Sequence, residues 1–180
     1  MLADLEAESG AEAALPLIEQ LRAYQPGEAD VVLATLRFRQ GRFDEAATAL
    51  EAAFDDFRRN PWALTRFKER GVVLAAAVAV RSDLLGARMF EALGQPFAIR
   101  AVEDERLLTR ATLTARLNFK GLCGHAMDAF EPHVPWTDSF LKLRRDCYQA
   151  IGDQRLAGAT SDLADFVARQ PIGPGGGASP

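Results

Sequence analysis

Four side chains able to bind a metal, Cys123, His125, His133 and Cys147, fall within a span of 25 residues. They are the only cysteines and histidines, two of each, in the chain. A four-ligand zinc set is the chemistry such residues suggest. Their spacing fits no tight ligand knuckle, and Cys123 and His125, two apart on a helix, point in different directions. Buried cysteines also pack as small hydrophobes. We read the four as packing residues and expect no metal site and no cofactor. Two cysteines make no disulfide framework; a reduced, cytoplasmic setting is the default reading, and the count leaves room for one bridge.

The string Glu131-Pro132-His133-Val134-Pro135-Trp136 is the most unusual local sequence. Its prolines stiffen the backbone and Trp136 offers a large apolar face. This reads first as a rigid loop with Trp136 packed over the following helix, and second as a partner contact through His133 and Trp136. No serine or cysteine nucleophile stands beside His133, so no catalytic role follows. Glu103, Asp104 and Glu105 are adjacent carboxylates on a helix, which diverge, and they read as a solvated face. We assign no catalytic residue.

The elements that must carry these residues are helices. The chain has 180 residues, 48% hydrophobic and 26% charged, with net charge −4, the balance of one globular domain. That charge argues against a nucleic-acid partner, which needs a basic face. The N-terminal MLADLEAESGAEAAL lacks the basic and apolar regions of a secretory signal. The longest apolar run, Gly71 to Val80, is too short to span a membrane, which takes about 20 residues. Breakers divide the chain into helices expected near 11–24, 28–40, 43–58, 61–81, 84–93, 97–117, 119–130, 137–151 and 154–169. Asn60, Asp83 and Thr137 or Asp138 are expected as N-caps. Phe43, Ala46, Ala47, Leu50, Phe54 and Phe57 give 43–58 the clearest apolar face. Residues 1–170 read as a single domain. The tail 171–180, PIGPGGGASP, has nothing to bury and reads as disordered.

Four helices align without gaps on Ala46, Gly86, Leu122 and Ala157, spaced by 40, 36 and 35 residues. The unit Glu28 to Phe54 resembles the tetratricopeptide repeat family through Leu33, Ala34, Gly41, Phe43, Ala46 and Ala53. It departs from that pattern at Asp30 and Arg37. The last unit resembles it through Tyr148, Gly152, Ala157 and Ala164, with Pro171 closing it; the middle units match only in their second helices. The resemblance implies an all-α, right-handed helical-hairpin solenoid of about four irregular repeats with an N-terminal capping helix. It implies a protein or peptide partner held in a concave groove lined by first helices. Glu28, Val31, Thr35, Phe38, Arg39, Lys68, Gly71, Ala75, Val78, Asp104, Lys142, Asp146 and Gln149 would face that groove. A clamp of Lys and Asn for a peptide carboxylate is not expected, because Asn60 and Asn118 both sit at helix boundaries. More faintly, the region 37–166 is similar to the C-terminal helical repeat extension of bacterial spermidine-synthase-like proteins, an accessory part without chemistry of its own. An α-helical enzyme of another kind is the third reading. The sequence sets no oligomeric state.

Overall fold

The computed structural model describes residues 2–117, 122–131 and 133–169. Asn118, the helix start at 119–121, Pro132, Pro171 and the tail 171–180 lie outside the described residues. Among the described residues there are ten helices and no strand. They are α1 Leu2–Ser9, α2 Ala14–Arg22, α3 Pro26–Arg39, α4 Phe43–Arg59, α5 Thr65–Ala79, α6 Asp83–Ala92, α7 Glu103–Arg116, α8 Cys123–Asp128, α9 Asp138–Ile151 and α10 Leu156–Ala168. None is long and apolar enough to cross a membrane. The chain divides into two compact units, 1–118 and 119–180.

The first unit is built around α3 and α4. Gly41, at φ 74°, takes the left-handed turn that folds α4 back along α3. The expected apolar stripe of α4 is its buried face: Ala46, Ala47, Leu50, Phe54 and Phe57 are all inaccessible. Pro26 opens α3, and Gly27 lies so close to α4 that a Cβ there would meet Asp56 Oδ2 at 2.6 Å and Phe57 Cε1 at 2.7 Å. Helix α3 also packs against α1, α2 and α5, and α5 against α4, α6 and α7. Phe97, in the segment between α6 and α7, closes the core on Phe54 and Phe57, with ring centroids 5.5 and 5.7 Å away.

Helix ends depart from expectation where side chains bend the backbone. The helix expected from residue 61 begins at Thr65. Asn60 does not cap it; Asn60 Oδ1 accepts the Trp62 N–H in a local turn, no side chain caps α5, and the Glu28 carboxylate, from across the core, accepts the N–H of Leu64, the residue before the helix, at 2.9 Å. Ser82, not Asp83, caps α6 by accepting the Leu85 N–H. The helix expected at 97–117 begins at Glu103, because Phe97 is drawn into the core and the Ala98 N–H bonds the Phe57 carbonyl. Helix α1 falls in a segment for which no helix is expected, since its acidic sequence buries only Ala3 and Ala7.

In the second unit, α9 starts on the Thr137 cap and ends on Gly152 in the left-handed region. It packs against α8 and α10. Cys123 of α8 and Cys147 of α9 form a disulfide, with Cα atoms 5.8 Å apart. This corrects the reading of both as free packing residues: they are buried, but they are a covalent clip between two helices.

Candidate interaction groove

On α5, Arg70, Val73, Leu74 and Ala77 recur at helical spacing and share one face. On α3, Thr35, Phe38 and Arg39 do the same. Together with Glu8 of α1 they line a groove of about 190 Å³. Its floor is small and apolar, and its rim carries Arg39, Arg70 and the Glu8 carboxylate. Val73 is 71% exposed, unusual for a branched aliphatic side chain. Phe38 stands edge-on to Phe43 at 5.5 Å, and Arg81 lies over both rings at 5.1 and 4.8 Å.

The groove's two arginines meet α1. Arg70 pairs with Asp4, and with Glu8 at 2.5 Å. Arg39 donates from Nε to Glu8 at 3.0 Å and again from Nη2. Beyond α1, Glu12 accepts from Gln40 at 2.8 Å and from Arg37 at 3.2 Å, and Gln40 also donates to the Gly10 carbonyl at 3.1 Å.

Of the residues expected to face a groove, Thr35, Phe38 and Arg39 line this one. Val31, Thr35 and Lys68 are buried at 0, 4 and 1% exposure, as are Glu28, Gly71, Ala75 and Val78. Val31 and Lys68 are therefore core residues, a correction with a clear cause. Helices α1 and α2 cover α3, and the exposed face of α5 is rotated from the expected one, with the small stripe 71, 75, 78 turned inward. Arg70, Val73, Leu74 and Ala77 were missed. The signal for them was available, since a stripe of Gly, Ala and Val at helical spacing marks a buried face and its neighbours the open one. Asp104 is exposed on the first turn of α7.

Lys68 is the strangest of the buried groups. Burial pushes its ammonium pKa down, and the Glu28 carboxylate opposes this. Glu28 Oε2 is itself buried without a hydrogen-bond partner. Both residues are buried, at 1% exposure each.

The second unit holds the remaining expected residues. Lys142 pairs with Asp138 at 2.7 Å, Asp146 with Arg145 at 2.5 Å, and Gln149 is exposed. His133 is exposed, and Trp136, 45% exposed, stands edge-on to Phe166 of α10 at 6.3 Å. The unit's polar centre lies beside them. Arg144 donates to Glu131 at 3.0 Å and to Asp162 at 2.7 Å, and the Tyr148 hydroxyl donates to Glu131. Burial and the Glu131 carboxylate push the Tyr148 pKa up to about 12. For Glu131, burial works against ionisation, but the bonds from Arg144 and Tyr148 outweigh it and hold the pKa below its usual value. Arg144 and Tyr148 are both committed to neighbouring carboxylates, which suits a structural brace. Among the described residues no cluster of three or more His, Cys, Asp or Glu could hold a metal ion.

No family model, no curated protein and no solved structure matches the chain.

Proposed function

We propose that this protein is a non-catalytic interaction module that holds a protein or peptide partner in the α3–α5 groove. The observation that carries the reading is the strip Phe38, Arg39, Arg70, Val73, Leu74, on which the exposed Val73 and the half-buried Phe38 and Leu74 lie beside two arginines. Apolar contact flanked by guanidinium groups is a common composition for a protein-binding surface. In this reading the hairpins α3–α4 and α5–α6, whose first helices lie side by side, belong to a right-handed tetratricopeptide-like solenoid of about four irregular repeats. The loop at His133 and Trp136 is the lesser candidate, because Phe166 already takes up one side of the indole.

A pull-down with Arg39→Glu and Arg70→Glu tests the groove. Arg39→Glu should lose the partner captured by the parent protein. If neither charge reversal changes what is captured, docking through this groove is wrong. The same reading expects a cytoplasmic setting. The Cys123–Cys147 bridge pulls the other way, because structural disulfides persist mainly in oxidising compartments. Thiol counts on protein denatured under trapping conditions decide between the two: no free thiol for the bridged form, both cysteines for the reduced one.

A further inference from the structure

We infer that one end of the first unit, formed by the loops 23–25, 60–64 and 93–102, docks on an anionic phospholipid surface. This end shares no residue with the α3–α5 groove.

The three loops link α2 to α3, α4 to α5 and α6 to α7. Packing gathers them at one end. Gly27, at the start of α3, abuts Asp56 and Phe57 near the end of α4. The Leu64 N–H reaches back to Glu28, and the Ala98 N–H bonds the Phe57 carbonyl at 2.9 Å. Each loop raises a large side chain into water. Tyr24 and Trp62 are both 87% exposed and Ile99 is 46% exposed, with Leu64 beside Trp62 at 38%. Turns ordinarily carry small polar residues, so large apolar side chains on three adjoining loops mark a surface that meets something other than water.

The charge at this end is as distinctive. The three loops contain no carboxylate. Arg59, Arg66 and Arg100, on or next to them, are exposed, and among the described residues none of the three is in an ion pair. Arg66 leans only on the Phe67 ring at 5.0 Å. By contrast, Arg22, Arg58 and Arg106 nearby are each held by a carboxylate.

Aromatic rings with a polar edge sit at the level of lipid headgroups, aliphatic side chains reach the acyl boundary, and unpaired guanidinium groups hold phosphate. Side chains of all three kinds on adjoining loops match a bilayer that contains anionic lipid. Just beyond the loops, Glu69 on α5 and Asp104 and Glu105 on α7 are exposed, and the whole chain has net charge −4. An anionic surface therefore repels the acidic flanks of these helices and favours approach by the loop end. The contact is interfacial, because no helix among the described residues is long and apolar enough to cross the membrane.

The test uses the full chain carrying Trp136→Phe, which leaves Trp62 as the sole tryptophan. Phosphatidylcholine vesicles containing about a third phosphatidylserine should shift its emission to the blue and sediment with the protein, and about 0.5 M salt should reverse both effects. Vesicles of phosphatidylcholine alone should do neither. Arg59→Glu/Arg66→Glu/Arg100→Glu should weaken binding about a hundredfold, and Tyr24→Ser/Ile99→Ser about tenfold. All five side chains are exposed, so thermal melts of both variants by ellipticity should match the parent's. The absence of a blue shift with anionic vesicles, an equal shift with neutral ones, or undiminished binding by the triple arginine variant overturns the inference. A blue shift produced by soluble glycerophosphoserine alone names a headgroup pocket in place of a bilayer and overturns it too. So does a protein captured through Trp62 by a chain that ignores vesicles.

Discussion

A lysine at 1% exposure needs an opposing charge, and Glu28 is the carboxylate that acts on Lys68 across the core. The folded pKa of Lys68 lies below that of the unfolded chain, about 10.4. Between those two values the unfolded chain binds more protons, so this residue makes stability rise with pH in that window. Lys68→Met should destabilise the first unit by about 3 kcal/mol, because it strands Glu28 in the core. Glu28→Gln/Lys68→Met should recover most of that loss, since glutamine keeps the Oε1 acceptor for the Leu64 N–H. Urea unfolding of the two single variants and the double variant measures the coupling; equal losses for Lys68→Met and the double variant would sink the pairing. The sequence showed Lys68 as one more charge on a helix. Its burial depends on α3 and α5 meeting at that level, which no local pattern encodes.

Two devices join the helices of the second unit. The Cys123–Cys147 bridge closes a loop with a sequence separation of 24 residues. Cys123→Ala/Cys147→Ala should lower that unit's stability by about 3 kcal/mol, the usual scale for a loop of this size, read as a drop in its melting temperature. The second device is the Glu131–Arg144–Asp162 brace, which ties the loop before α9 to α9 and α10. Glu131 titrates below its usual value when folded, so its contribution is complete above about pH 4.3 and is lost as pH falls through the depressed folded pKa. Glu131→Gln should flatten the acid limb of a pH–stability curve, and an unchanged limb would count against the brace. At this scale the sequence was most legible where one face is apolar and the cap is a side chain. Helix α4 was expected at 43–58 and runs 43–59; α9 starts on Thr137, one of the two caps expected. It was least legible at α1, which has no apolar stripe and is ordered by arginines more than 30 residues away in sequence. The start of α5 was missed for a similar reason: Glu28, 36 residues from Leu64, holds the backbone just before it.

At the scale of the whole chain, the groove and the bridge fall in different units, and so do the two tryptophans. Trp62, on the turn between α4 and α5, is 87% exposed; Trp136 leans on Phe166 at half that exposure. Unfolding the first unit moves Trp62 from water to water. A melt followed by tryptophan emission therefore records the second unit and is nearly blind to the first, whereas backbone ellipticity sees both. If the units unfold at different temperatures, the two optical signals will separate. Trp136→Phe should then leave an emission trace that is almost flat through both transitions, an optical zero against which a partner settling near Trp62 would stand out.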